Sequence, residues 1–441
     1  MNGLIARVAP VAALLAAALA QPQLAQHVGI GSAPAYEVRY LPGLGGNHSR
    51  GNSINDDGWI AGYSQLIGNT HRHATLWLGD TPIDLGALGS KNKPKNSNVA
   101  WPVKNTNGLI VGISQTDAPD PWGENWSCSA FFVPATSTGH RCLGFAWENG
   151  KMRPLPTLGG THGFAAAANN LGQIVGWAEN TVRDTATCTP PQIFQFRAVV
   201  WGPGEDEIRE LPVLGDDSSS AATAINDRGQ IVGISGACDD AIGSATAAHM
   251  VLWDGDTVTE IPNLGGDEWN TPTAINERGD VAGFSDHPGD VITEAFLWTP
   301  EGGLRALEFL YDDHTLSEAF GMNEGRQIVG LSCGAECRAF LWQDGAMLDL
   351  NELIAPDDGV LLTHAMDIND DGVITGRALI KATGERVTFV ATPTGSPIAL
   401  GATTGAKRAR PATVSLTAEA LREILHPLGP RHDRLTARAP R

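Results

Sequence analysis

One pattern recurs seven times along the chain and constrains its fold more than any other feature. Each copy has an apolar residue, Asn, two variable residues and Gly, then a short apolar strand that ends in a second Gly. The copies are Ile54–Gly62, Lys104–Gly112, Ala168–Gly176, Ile225–Gly233, Ile275–Gly283, Met322–Gly330 and Ile368–Gly376. Because Asn and Gly tolerate positive φ, we expect each Asn-x-x-Gly to close a tight hairpin. In the sixth copy Arg326 takes the place of the inner glycine.

The second half of each unit is an apolar strand that ends in Trp. These tryptophans are Trp77, Trp147, Trp201, Trp253, Trp298 and Trp342, and the seventh copy has 389–391 (Phe-Val-Ala) instead. In the earlier copies a Gly-bearing turn and a strand ending near Leu-Gly follow. Four strand signals at a pitch of about fifty residues are typical of a propeller blade and too long for a solenoid coil. We therefore predict an all-β fold, a seven-bladed β-propeller with four-stranded antiparallel blades, in which the recurrent Trp packs in the core.

The repeats predict a propeller domain over residues 36–401. Residues 36–41 resemble the fourth strand of a unit but precede the first full unit, so we expect them to complete the seventh blade. Residues 397–401 are the alternative for that place. Residues 1–20 are typical of a secretory signal peptide, with Arg7, a short apolar run and an Ala-Leu-Ala cleavage site. Residues 402–441 are basic, and we expect a largely disordered tail with a short amphipathic helix over 415–425.

Charge and cysteine content limit the partners and the compartment. The formal net charge is -19 although the tail is basic, and such an acidic body disfavours binding to nucleic acid. The short apolar run at the N-terminus and the rest of the chain predict no membrane span. Six cysteines in an exported chain indicate disulfides, and the repeat register favours three pairs among the fifteen arrangements possible for six cysteines. These pairs are Cys128–Cys142, Cys333–Cys337 and Cys188–Cys238.

The units resemble the HAF repeat, a bacterial extracellular repeat named for a His-Ala-Phe-Leu-Trp-like strand. That strand has its counterparts here at His73–Trp77, Glu294–Trp298 and Arg338–Trp342, and Ile225–Gly233 is similar to the hairpin segment of the repeat. The resemblance covers roughly residues 36–401 and implies an exported bacterial protein. It implies no particular chemistry, so no catalytic residue is carried over from it.

Loop length indicates which face of the propeller carries function. The connection between the second and third strands varies most; it is longest between Gly112 and Trp147 and shortest between Gly330 and Trp342. All six cysteines fall in this connection, which shares one face with the blade-to-blade connections. Loops on a rigid scaffold are where binding residues concentrate. The candidate ligand-binding residues on this face are His48, Trp122, Trp126, His162, Asp217, Asp267, Trp269, His314 and His364.

Three functions are compatible with such a face. The first is an exported binding protein, a monomer without a cofactor or metal, that recognises a carbohydrate or a protein partner. The second is a glycoside hydrolase or polysaccharide lyase that uses acidic and histidine side chains of the same face. The third is a structural cell-surface module. Because the sequence lacks His-Glu-x-x-His, Walker and Rossmann patterns, we favour a non-enzymatic function.

Overall fold

Antiparallel strands dominate the computed structural model, which describes residues 33–398 except 91–94, 125, 130, 133, 138, 185–191, 205, 239–246 and 358. The predicted signal peptide and basic tail lie outside these residues. Strand pairing gives three four-stranded sheets and two eight-stranded sheets. Each eight-stranded sheet consists of two four-stranded antiparallel groups joined by one parallel residue pair, His48–Arg386 or Thr293–Leu316, and we number the four-stranded groups as blades 1–7. These pairings confirm a β-propeller with four-stranded antiparallel blades. Among the described residues, no helix is long and apolar enough to cross a membrane.

The strands follow the repeats closely. Blade 1 contains β2 (Gly45–Ile54), β3 (Ile60–Leu66), β4 (Arg72–Leu78) and β5 (Thr81–Asp84). Blade 2 contains β6 (Ser97–Asn98), β7 (Ile110–Pro119), β8 (His140–Glu148) and β9 (Lys151–Pro154). Blade 3 contains β10 (Gly163–Ala168), β11 (Ile174–Arg183), β12 (Phe194–Trp201) and β13 (Ile208–Glu210). Blade 4 contains β14 (Ser219–Ile225), β15 (Ile231–Gly236), β16 (His249–Asp254) and β17 (Thr257–Ile261).

The remaining blades include the closure of the ring. Blade 5 contains β18 (Asn270–Ile275), β19 (Val281–Asp286), β20 (Thr293–Thr299) and β21 (Gly303–Ala306). Blade 6 contains β22 (Leu316–Met322), β23 (Ile328–Cys333), β24 (Cys337–Gln343) and β25 (Ala346–Asp349). Blade 7 contains β26 (Val360–Ile368), β27 (Ile374–Ile380), β28 (Arg386–Ile398) and, from the start of the chain, β1 (Ala33–Leu41).

The pairing of β1 with β28 confirms the predicted closure. Residues 36–41 lie antiparallel to residues 388–393, so the first strand of the chain is the outermost strand of the last blade. The alternative segment, 397–401, begins within β28 and then leaves the described residues. A sheet that ends on a strand from the opposite end of the chain fixes both ends at once, because opening the ring would leave β28 with an unpaired edge.

The repeated Asn has a second role that the sequence pattern did not reveal. In each hairpin its Oδ1 accepts the backbone N–H four residues ahead, as for Asn226 and Gln230 at 2.9 Å. In most copies its Nδ2 also donates to a backbone carbonyl of the next blade, as from Asn226 to Asn276 at 3.0 Å. The same bond crosses the closure, from Asn369 to Asn55 at 3.2 Å. We call this ring of contacts the asparagine belt; it links blades through their innermost turns.

Positive φ at the hairpin explains the recurrent glycine and its single replacement. The inner glycines have φ near +80°, for example +78° at Gly229. Arg326, which replaces the glycine in blade 6, has φ +60°. Its guanidinium compensates for this strained backbone by donating to both carboxylate oxygens of Asp280 in blade 5, at 2.7 and 2.9 Å.

The recurrent tryptophans pack between blades, as predicted. Trp77, Trp201 and Trp253 are fully buried. Each indole N–H donates to the carbonyl of a proline at the end of the preceding blade: Pro42, Pro156 and Pro212, at 2.7–2.8 Å. A large apolar side chain with one satisfied donor stabilises an interface without leaving a buried polar group. In blade 7 the register puts Ala391 at the Trp position, opposite Ile374, and the fully buried Phe389 lies two residues earlier, opposite Gly376.

The connection between the second and third strands and the connection between blades leave each blade at the same end. We call this end the long-loop face. Its largest excursion, in blade 2, contains two short helices, α1 (Trp126–Ser129) and α2 (Pro134–Ser137). The predicted disulfides Cys128–Cys142 and Cys333–Cys337 are both present. Cys238 is disulfide-bonded, and Cys188, its expected partner, lies outside the described residues.

Candidate functional site

The blade 2 excursion docks on blade 3 through buried carboxylates. Glu124 is fully buried, and its Oε1 accepts the backbone N–H groups of Ile193 and Phe194 at 2.5 and 2.9 Å. Glu179 accepts the backbone N–H groups of Thr161 and His162 at 2.8 and 2.9 Å. These bonds satisfy loop donors that would otherwise be buried and unpaired. Glu124 therefore holds the excursion on blade 3, and Glu179 holds the connection between blades 2 and 3.

One hydroxyl lies between the two carboxylates. The Oγ1 atom of Thr161 lies 2.8 Å from Glu179 and 3.2 Å from Glu124. One hydroxyl proton cannot be donated to both carboxylates, so a second proton between Thr161 and Glu124 is favoured. Burial and the charge of Glu179 raise the pKa of Glu124, which agrees with this arrangement.

Asp120, Glu124 and His162 also form a cluster whose ligand atoms lie within 4.8 Å of one another, close enough to hold a metal ion. The hydrogen bonds of His162 argue against metal binding. The backbone N–H of Cys142 donates to its Nδ1 at 3.1 Å, so the proton of the neutral imidazole is on Nε2, 3.7 Å from Asp120 Oδ2. A protonated nitrogen has no lone pair for a metal. We interpret this cluster as part of the loop-docking contacts.

Trp122 is the exposed aromatic of the excursion. It is 46% exposed, and its ring lies edge-on to Phe194 with a centroid distance of 5.5 Å. The guanidinium of Arg183 lies 5.1 Å from its centroid. One face of the ring is therefore engaged by the protein itself. Trp126 is in α1, and its side chain is outside the described set.

The other candidates on this face are dispersed. Asp217 accepts the hydroxyl of Ser235, and Asp267 is an exposed loop residue. Trp269 is 3% exposed and packs edge-on against Phe284, so it belongs to the core and we remove it from the candidate site. His314 is buried, and its Nδ1 lies 2.8 Å from the hydroxyl of Ser332. Asp217, Asp267 and His314 lie in three different connections between blades.

His48 and His364, in contrast, lie in one concentrated polar cluster between blades 7 and 1. His48 Nε2 lies 3.1 Å from Nη1 of Arg386, and His364 Nε2 lies 2.9 Å from Nη2 of Arg377. Because guanidinium groups only donate, each imidazole nitrogen accepts. Tyr63, Arg50 and Arg72 complete the group. We call these seven residues the arginine cluster: His48, Arg50, Tyr63, Arg72, His364, Arg377 and Arg386.

Tyr63 lies among the guanidinium groups. Its ring centroid is 4.5 Å from Cζ of Arg72 and 5.5 Å from Cζ of Arg50. Arg50 is 4% exposed and Tyr63 is 5% exposed, whereas Arg72 and His48 are half-buried. All of these residues lie on the strand halves next to the long-loop face. The cluster is therefore nearest to solvent at Arg72 and His48.

Arg50 is the least compensated charge of the cluster. Its Nε and Nη1 are buried and make no hydrogen bond within the described part of the chain. Among the ion pairs of the described side chains, none joins Arg50 or Arg72 to a carboxylate. The buried Arg338 of blade 6 shows the usual solution, since it pairs with both Glu336 and Asp349 at 2.9 Å. A buried cation without such partners is costly unless an anion joins it.

Electrostatics within the cluster favour the neutralisation of its charge. Burial lowers the pKa of Arg50, and it lowers the pKa of Arg377 to about 9, with the neighbouring guanidinium groups adding to the effect. Burial alone would raise the pKa of Tyr63. The four guanidinium groups outweigh burial and lower the pKa of Tyr63 to about 8. A negative charge is therefore strongly stabilised at this place.

Repeat equivalence contains a signal for this cluster that our sequence analysis missed. The position after the second glycine of each copy is apolar in copies 2–6, as at Ile113 and Phe284, but is Tyr63 in copy 1 and Arg377 in copy 7. The position five residues before the repeated Asn is Arg50 in copy 1 and His364 in copy 7. The apolar members of the first position belong to one buried cluster at the centre of the ring. Copies 1 and 7 are neighbours in the ring, and both depart from the apolar consensus. These departures therefore locate the arginine cluster.

Comparison with known proteins yields solved structures but no sequence relatives. No family model matches the chain, and no curated protein matches it. An oligogalacturonate lyase in complex with manganese aligns with a TM-score of 0.47 and 10% identity over 82% of this chain and 97% of its own. A puromycin hydrolase mutant aligns with a TM-score of 0.44 and 14% identity over 79% of this chain, which spans about half (52%) of that enzyme. The β-propeller domain of the trilobed protease of Pyrococcus furiosus aligns with a TM-score of 0.33 and 10% identity, over 69% and 95% of the two chains.

Proposed function

We propose that this protein is an exported β-propeller that binds an anionic ligand, an acidic saccharide, at the arginine cluster on its long-loop face. The observation that carries the proposal is Arg50, a buried guanidinium whose Nε and Nη1 make no hydrogen bond within the described part of the chain. Arg72 lies beside it without a carboxylate partner in that same part. A ligand anion would supply acceptors for these buried donors.

The burial of the cluster favours a saccharide over a protein surface. Arg50, Arg377 and Arg386 are 2–7% exposed, so only a small charged group that projects from the ligand can reach them. A flat acidic protein surface would meet Arg72 and His48 alone. The uronic acid at the end of a glycan chain carries a compact charged group of this kind, its carboxylate. Export and membership of the HAF-repeat family are parts of this proposal, and the two disulfides support an oxidising compartment.

Titration calorimetry on the mature protein tests the proposal. The ligands are an oligosaccharide of uronic acids, a sulfated oligosaccharide, an acidic peptide and a neutral glucan of similar length. We expect binding of the uronic acid oligosaccharide and none of the neutral glucan. Preference for the sulfated ligand would reassign the anion, and binding of the peptide alone would contradict a saccharide.

Matched arginine variants locate the site. Arg50→Met should weaken binding about ten- to hundredfold, because a charge-assisted hydrogen bond contributes about 1.5–3 kcal/mol. Arg209→Gln is the control, because Arg209 is an exposed arginine on the outer strand of blade 3, where it donates to Asp256. Equal affinities of Arg50→Met and the wild type would refute binding at the cluster. A loss of affinity in Arg209→Gln as large as that in Arg50→Met would show general charge attraction only.

A further inference from the structure

Tyr63 lies among the guanidinium groups that a bound anion would contact. It is on β3, one residue after the glycine that ends the first half of the repeat in blade 1. Its side chain is almost fully buried, and the guanidinium groups of Arg50 and Arg72 approach its ring. No other copy has a phenol at this position. The hydroxyl is therefore an acidic group placed directly among the cations of the proposed site.

We infer that the hydroxyl of Tyr63 is the internal counter-ion of the arginine cluster, and that its ionised form competes with an external anion for the same guanidinium groups. This inference rests on the proposed function, because it describes the control of binding at that site. Each state satisfies the cluster with one negative charge: a ligand carboxylate with neutral Tyr63, or the Tyr63 phenolate without ligand. Both charges together would repel one another at contact distance in a buried site.

The groups that face Tyr63 come from every strand around it, and they are overwhelmingly basic. Arg50 and His48 are on β2, Arg72 on β4, His364 on β26, Arg377 on β27 and Arg386 on β28. Both histidines accept hydrogen bonds from arginines, which requires a neutral ring nitrogen at each contact. The acidic residue at the equivalent position of blade 6 is Glu318, on β22, which is also buried. It is one blade further from Tyr63 than His364 is.

The direction of the pH dependence follows from this competition. The pKa of Tyr63 is lowered to about 8, so its phenol is neutral below this pH and ionised above it. Anion affinity should be constant below pH 8 and fall by about tenfold for each pH unit above it, because one proton must be taken up for each anion bound. By reciprocity, a saturating anion raises the pKa of Tyr63.

Near-ultraviolet titration of tyrosinate absorbance tests the inference on the intact mature protein. The chain has only four tyrosines, which makes individual ionisation steps resolvable. Burial raises the pKa of Tyr36 to about 12, and it also raises the pKa of Tyr40 and of Tyr311, with nearby carboxylates adding to both shifts. The wild type should therefore show one tyrosine equivalent that ionises near pH 8. Tyr63→Phe should lose this step, and Tyr40→Phe, the matched control, should keep it.

Sodium glucuronate is the probe for competition, with glucose in the same buffer as the neutral control. The inference predicts that saturating glucuronate moves the step near pH 8 to higher pH, and that Tyr63→Phe binds glucuronate with no pH dependence in this range. Calorimetric binding that leaves the step unmoved would overturn the competition while leaving the proposed function intact. Absence of glucuronate binding to both proteins, with the step still present, would overturn the competition and count against the proposed function. Far-ultraviolet circular dichroism confirms that Tyr63→Phe is folded.

Discussion

Replacement of Arg50 by methionine should stabilise the ligand-free protein, whereas the same change at Arg338 should destabilise it. Both arginines are buried, 4% and 8% exposed, in strands of the same propeller. Arg338 donates to Glu336 and Asp349, so Arg338→Met leaves two buried carboxylates without their cation. Loss of one partner of a buried ion pair costs about 3–5 kcal/mol. We expect Arg338→Met to lower the free energy of unfolding by that amount.

Arg50, in contrast, has no carboxylate partner among the described residues. Two of its buried nitrogen atoms make no hydrogen bond in the described part of the chain, and each unsatisfied polar group costs about 1–3 kcal/mol. Methionine keeps much of the volume of the arginine stem and removes these donors and a charge that repels its neighbours. Arg50→Met should therefore raise the free energy of unfolding by about 1–3 kcal/mol. A gain in stability together with a loss of binding is the expected signature of a residue kept for function.

Urea denaturation followed by circular dichroism and tryptophan fluorescence measures both variants under one set of conditions. Coincidence of the two probes establishes that a single transition is being compared. If Arg50→Met destabilises the protein as much as Arg338→Met, then the charge of Arg50 is compensated inside the protein, and the argument for an external anion fails.

Two further predictions concern the scaffold. Asn226→Ala removes three hydrogen bonds of a buried side chain, including the one to Asn276, and should lower the free energy of unfolding by about 2–4 kcal/mol. Urea denaturation should show a change below about 1 kcal/mol for the control Arg228→Ala, at an exposed residue of the same turn, and equal effects would reject the belt. Replacement of both Cys128 and Cys142 by serine opens a loop of sequence separation 14 and should cost about 3 kcal/mol. Limited proteolysis should then cut first in the blade 2 excursion of this variant, and unchanged cleavage would show that the buried carboxylates hold the loop alone.

Most of the scaffold could be predicted from the sequence because its determinants are local and repeated. Asn and Gly at fixed spacing fix the hairpins, and a Trp near the end of the third strand fixes the packing between blades in six of the repeats. The sequence also showed that Arg326 takes the place of the hairpin glycine in the sixth copy. Ring closure was predictable because residues 36–41 have a fourth-strand pattern with no blade of their own. Local pattern was sufficient in each of these cases.

The candidate site was only partly predictable because it is defined by departures from the repeat. His48 and His364 were identified as loop-face residues, but the arginines around them were missed. Arg50 and Arg377 belong to strands whose consensus is small or apolar, and only the ring brings copies 1 and 7 together. The role of His162 could not be read from the chain either. Its tautomer depends on a hydrogen bond from the backbone N–H of Cys142, which lies 20 residues away in the sequence.

The most direct measurement of the central claim is a crystal structure of the mature protein soaked in selenate, whose anomalous scattering locates the anion without prior phases. Our account predicts a peak within hydrogen-bond distance of the Arg50 and Arg72 guanidinium groups, and the loss of that peak in crystals of Arg50→Met. Selenate peaks at other surface sites of the wild type, with no peak at the arginine cluster, would contradict an anion site between blades 7 and 1.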